Sequence, residues 1–125
     1  MKKIIITGNI GKDPESRADK DGNQFVVFSV GIAVGTKLTP KTDWVQVSAN
    51  GKLAEIVRMY AKKGTKILVE GFPTTSIYIN KENEPVSILN VYANIIELLS
   101  KRENDTDESP EYSDDEDDSE LLEKE

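Results

Sequence analysis

Between residues 43 and 50 the chain alternates without exception. Val45, Val47 and Ala49 share one face of the strand this period predicts, and Trp44, Gln46, Ser48 and Asn50 share the other. Turning the strand over would bury Gln, Ser and Asn and expose two valines, each worth about 1.5–3 kcal/mol when buried. The pattern therefore places the only tryptophan on an outward, polar surface. Asn50-Gly51 ends the strand and offers a helix start. Leu53, Ile56, Val57 and Tyr60 follow at helical spacing, predicting an amphipathic helix of about three turns. Lys62 and Lys63 suit its C-terminal end, and Gly64 is placed to take a left-handed cap.

Other segments follow the same logic. The run Ile4-Ile5-Ile6-Thr7 predicts a short strand buried on both sides, with Gly8-Asn9 permitting a bulge or bend. Residues 14–23 are polar and close on the turn signal Asp21-Gly22-Asn23. A long strand is expected over 24–34, with Val26, Phe28, Val30, Ile32 and Val34 facing the core. Gly31 within it marks strong bending. Residues 35–42 read as a loop. After the helix, 65–70 predicts a fourth strand, broken by Gly71-Phe72-Pro73. Residues 74–80 resume it, with Ile77 and Ile79 on one side and Ser76, Tyr78 and Asn80 on the other. A hairpin loop over 81–85 leads to a closing strand over 86–98, with a bulge expected near Leu89-Asn90. Strands with one helix between the third and fourth predict a mostly β fold, a five-stranded barrel of the OB type.

Charge divides the chain in two. The formal net charge is −7, yet residues 1–100 carry 13 Lys+Arg against 10 Asp+Glu, and residues 101–125 carry 3 against 13. The first part reads as a mildly basic domain. The second is expected to be a disordered acidic tail, since it has too few apolar residues to pack. With no cysteine and no histidine, disulfides are excluded, a metal site is not expected, and the commonest general base is missing. Asp13, Glu15, Asp19 and Asp21 lie in a turn-rich loop and read as solvated carboxylates. No nucleophile, base and oxyanion site can be assembled, so neither enzymatic activity nor a cofactor is expected. No apolar run is long enough to span a membrane and no secretory segment opens the chain, which points to a soluble, cytoplasmic protein.

Three segments resemble one family. Ile6-Thr7-Gly8-Asn9-Ile10-Gly11-Lys12-Asp13-Pro14-Glu15-Ser16-Arg17 is similar to the opening signature of bacterial and phage single-stranded DNA-binding proteins. Thr42-Asp43-Trp44 with Gly51-Lys52-Leu53-Ala54-Glu55 is similar to their central one, and Lys63-Gly64 through Glu70-Gly71 to the segment after the helix. The resemblance covers about residues 1–100. It implies an OB-fold domain, usually a homotetramer, that coats single strands without strong sequence preference in replication, recombination and repair. It also implies an acidic tail that recruits replication and repair proteins. Two departures stand out: Asn50 occupies a position where the family often has a stacking Phe, and the tail ends Leu121-Leu122-Glu123-Lys124-Glu125 rather than in the family's Asp-Ile-Pro-Phe-like tip.

Binding a single strand needs flat rings for bases and cations for phosphates. Trp44 and Tyr78, each an aromatic on a polar face, are the expected platforms. Gln46, Ser48 and Asn50 flank Trp44 as hydrogen-bonding groups. Lys37, Lys41, Lys52, Arg17 and Lys12 are expected to line the backbone path. In the tail, Tyr112, Leu121 and Leu122 are the apolar anchors for a partner. The tail itself can be read as a solubilising segment, as a polyanion competing with DNA for the groove, or as a recruitment arm. The alternative to a strand-coating protein is an OB-fold adaptor of a replication or primosome complex with weak DNA affinity.

Overall fold

The computed structural model describes residues 1–99 and 111–113. Among these residues seven strands and one helix follow in the order β1 (Ile4–Ile10), β2 (Glu15–Ala18), β3 (Gln24–Gly35), β4 (Pro40–Asn50), α1 (Gly51–Tyr60), β5 (Lys66–Ile79), β6 (Pro85–Leu98) and β7 (Glu111–Ser113). β1 pairs with β5, β5 with β6, β6 with β4, β4 with β3, and β3 again with β1, so five strands close a ring. Among the described strands only the β4–β6 pairing is parallel. This is the five-stranded OB-type barrel that the pattern predicted. Closure runs through Asn9 opposite Gly31, and a Cβ on Gly8 would meet the Gly31 carbonyl oxygen there.

Alternation set the core as expected. Val26, Phe28 and Val30 of β3 meet Val45, Val47 and Ala49 of β4, joined by Ile67, Val69, Val91 and Ile96. α1 follows directly from β4 and adds Leu53, Ala54, Ile56 and Val57 to the same core. Tyr60, expected on that stripe, is about half exposed, and Ala54 completes the buried face instead. Gly64 does adopt a left-handed conformation, φ +91°, but past the helix end rather than as its cap. Its amide donates to the Ile10 carbonyl, and the Lys63 amide donates to the Asp13 carboxylate at 2.8 Å. Asp13 thus pins the turn after the helix to the loop after β1.

Several expectations require correction. Ile5 is 59% exposed, so β1 buries one face only, through Ile6 and Ile10. β4 begins at Pro40, and the expected loop shrinks to residues 36–39, tied by Thr36 and Thr39. Val34, at the far end of β3, is exposed. Residues 15–18, read as part of a polar loop, form β2, a fully exposed strand held to β3. β5 runs through Gly71-Phe72-Pro73 without a break. Its β1 partners end at Gly71, leaving β6 as its only neighbour among the described residues, an edge setting that tolerates proline. The bulge of β6 falls at Asn94, not at Leu89-Asn90: Gly71 pairs with Ala93 and Glu70 with Ile95. Burial switches accordingly from Val91 and Ala93 to Ile96 and Leu98.

Beyond the barrel, β5 and β6 continue as an arm to Ile79 opposite Pro85. The Asn80 side-chain oxygen accepts the Glu82 and Glu84 amides and shapes the turn. Most of the tail lies outside the described residues, and Leu121 and Leu122 with it. Its described part, β7, pairs antiparallel with β6, Tyr112 opposite Ile96.

Candidate nucleic-acid interface

Strand register assembles the site. Ser29 pairs with Gln46, Gln46 with Asn90, and Asn90 with Thr74, so these four form one outward row across β3, β4, β6 and β5. The neighbouring row is Val27, Ser48, Tyr92 and Phe72. Trp44, two residues from Gln46, lies on this face, as does Tyr78, four residues from Thr74. The two rings picked out from separate segments therefore share one face of the sheet. Between them lie hydroxyls and amides. The Asn90 amide donates to the Ser76 hydroxyl at 3.1 Å, fixing part of that polar strip.

The seat of Trp44 is unusual. Its partner across the ladder is Gly31, and a Cβ there would come within 2.9 Å of the indole. A Cβ on Gly11 would lie 2.5 Å from Cζ3 and 2.8 Å from Cη2 of the same ring. The indole thus lies against two glycine backbones, and a Cβ at either position would displace it. Gly31, expected as a bending point, makes space for this ring. Trp44 nonetheless keeps 57% of its surface open to solvent. The benzo edge of the ring is seated on the glycines while more than half of its surface stays open, which leaves room for a base to stack.

The remaining predicted residues divide. Gln46 and Ser48 are partly buried on the Trp44 face, while Asn50 is exposed at its end. Asn50 is the helix N-cap residue, yet its side chain makes no capping bond. Lys52 follows on the first turn of α1, exposed, and Lys12 is exposed beside Gly11 under the indole's edge. Arg17 is exposed on β2, its guanidinium 3.6 Å from Glu15. Lys37 sits in the 36–39 turn. Lys41 has the parity of Val45 rather than of Trp44, so it starts on the opposite side of the β3–β4 ribbon. Tyr78, 47% exposed, sits on the arm opposite Val86. Sequence reading passed over Phe25, Phe72 and Tyr92, which stand on this face too; their parity, the signal that singled out Trp44, would have found them.

Asp19 has a structural post. Its carboxylate accepts the Asn23 and Asp21 amides, each at 2.9 Å, and the Asn23 side-chain amide. These bonds, the Asn23 backbone amide first, hold its pKa below the ordinary 3.8, against desolvation, the next largest effect, which raises it. Among the described residues no group of His, Cys, Asp or Glu is arranged to hold a metal ion, and no helix is long and apolar enough to cross a membrane.

A five-stranded barrel with one helix, its outer sheet face carrying an open indole within a polar strip, defines the class of the OB-fold barrels. Comparison with known proteins agrees. The model of the Single-strand binding protein family matches residues 1–99, and the chain belongs to that family. The single-stranded DNA-binding protein 1 of Xylella fastidiosa is 32% identical over 111 residues, 83% of this chain and 81% of that protein. The single-stranded DNA-binding protein of Bacteroides thetaiotaomicron is 29% identical over 109 residues, 82% of this chain and 68% of that one. Among solved structures, the Plasmodium falciparum SSB in complex with ssDNA shares the fold, with a TM-score of 0.61 at 21% identity, over 74% of this chain and 86% of that one.

Proposed function

We propose that this protein binds single-stranded DNA without sequence preference and coats exposed strands during replication, recombination and repair. The observation that carries the reading is the indole of Trp44, its benzo edge seated against Gly11 and Gly31 and more than half of its surface open. Bases stack on Trp44 and Tyr78, each contributing about 1–3 kcal/mol whatever the base. Gln46, Ser48 and Asn50 bond bases or sugars, and Lys12, Lys37, Lys52 and Arg17 draw in the phosphates, while Lys41, on the other side of the ribbon, lies off this path. The protein acts by binding, with no chemical step and no cofactor, in the cytoplasm.

Assembly as a homotetramer is part of the proposal. It is supported by apolar side chains left open on the monomer, Ile5 on β1 and Ile77 and Ile79 on the arm. The acidic tail acts as a competitor for the basic surface and as a recruitment arm for replication and repair proteins, with Tyr112, Leu121 and Leu122 as anchors.

The open arm also favours a second reading, an adaptor that docks partner proteins and binds DNA weakly. Fluorescence anisotropy with labelled oligo-dT and a duplex of equal length separates the two. Strand coating predicts tight, salt-sensitive binding to oligo-dT and weak binding to the duplex. Equal and weak binding to both would favour the adaptor.

A further inference from the structure

The outward face of the barrel does not end at Trp44. At its other end lies a groove of about 320 Å³ with Phe25, Ser48, Asn50, Tyr92 and Asn94 among its lining residues. Phe25 pairs with Asn50 and Tyr92 with Ser48, so three neighbouring strands build it around the point where β4 passes into α1. Tyr92 keeps 54% of its surface open, and Phe25 is half-buried. From Trp44 to Asn50 is six residues of strand, about 20 Å.

Resting on the strand-binding reading above, we infer that this groove is a second nucleobase subsite, in which a base stacks on Tyr92 and Phe25. Its chemistry fits a base rather than a phosphate. Among the described residues no lysine or arginine lines it, and the one charged group lining it is the Asp19 carboxylate at the rim. That carboxylate is tied to the turn amides of Asp21 and Asn23, so it repels a phosphate without being free to take a base. Asn50 and Asn94 present amides, which donate and accept alike and so accept any base edge. Asn50 has no capping bond to give up, and Asn94 is the residue that the β6 bulge leaves out of register. The groove is continuous with the Trp44 strip through Gln46 and Ser48. A strand lying on Trp44 therefore reaches Tyr92 by following β4, with its backbone toward Lys52 and away from Asp19.

Length dependence tests it. Oligo-dT is titrated in increasing lengths, from oligomers that cover Trp44 alone to ones that span the face, against wild type, Tyr92→Ala, Tyr92→Phe and Phe25→Leu. The inference expects Tyr92→Ala to leave the shortest oligomers within twofold of wild type. It expects about a tenfold loss on the long ones, with Tyr92→Phe restoring affinity. A 5-iodouracil strand should crosslink to Tyr92 or Phe25 as well as to Trp44. Unchanged affinity at every length, or equal loss at all lengths, overturns the subsite. So does a Tyr92→Ala protein that sediments as a smaller species while each protomer keeps wild-type affinity, since Tyr92 would then lie between copies. Strand binding itself is scored separately, by quenching of Trp44 in the wild type. Quenching that persists with Tyr92 irrelevant removes this inference alone.

Discussion

Gly11→Ala tests the seat of the indole without touching the indole. The three atoms nearest to a Cβ at this position all belong to Trp44, the closest at 2.5 Å. Carbon atoms rest at about 3.5–4.0 Å, so the ring must move by about 1 Å. Gly11 has no positive φ to strain, and its amide bond to the Ser29 carbonyl, 3.0 Å, is available to alanine as well. The barrel should therefore fold normally. A gap of that size forfeits about a quarter to a half of a contact well. Applied to a stack worth about 1–3 kcal/mol, this is about 0.3–1.5 kcal/mol, or a two- to tenfold loss in oligo-dT affinity. Trp44→Ala should lose more, about an order of magnitude, with circular dichroism unchanged. The decisive assay is the double-mutant cycle by anisotropy. In a Trp44→Ala background, Gly11→Ala should cost nothing further, because the ring it displaces is gone. An equal loss in both backgrounds, or none in either, would refute a supporting role for Gly11.

Other consequences follow from the same geometry. Leu53→Ala removes a fully buried contact between α1 and the barrel and should cost about 2–5 kcal/mol, read as a lower urea midpoint at unchanged slope. Lys52→Ala should lower the slope of log affinity against log salt by about 0.7 if Lys52 neutralises one phosphate; an unchanged slope would take it off the path. Asp19 should titrate below 3.8 by NMR. With its pKa depressed on folding, its contribution to stability is present above the unfolded value and is lost as pH falls through the folded one, so Asp19→Asn should flatten the acid limb of stability. Deleting residues 103–125 should tighten oligo-dT binding at low ionic strength and have little effect at high salt, if the tail competes for the basic surface.

Where period and burial coincide, the chain could be read directly. β4 and α1 were legible because a strict alternation passes into helical spacing at Asn50-Gly51, and Val45 and Val47 are buried while Trp44 is not. β2 was illegible for the opposite reason. Its four residues are all exposed and carry no apolar pattern, and it exists through pairing with β3 and a bond from Arg58 to Ser16. Pro73 looked like a break because sequence does not say where a strand loses a partner. The exposure of Ile5 was hidden similarly, since an apolar run reads alike whether one face or two are covered. For the interface, the rule that found Trp44 and Tyr78 applies equally to Tyr92 and Phe25. Phe25 went unnoticed because it opens the apolar run Phe25-Val26-Val27-Phe28, and Tyr92 because the bulge at Asn94 breaks the alternation beside it. Least accessible was the job of Gly31 and Gly11, which depends on a ring arriving from another strand.

The central claim concerns where a base meets this barrel, and the protein's single tryptophan reports on it directly. Titrating the protein with oligo-dT while following Trp44 emission should give saturable quenching, reversed by salt, with the same midpoint as binding measured by anisotropy. Binding by anisotropy with Trp44 emission unaltered would put the strand on another surface and contradict the account.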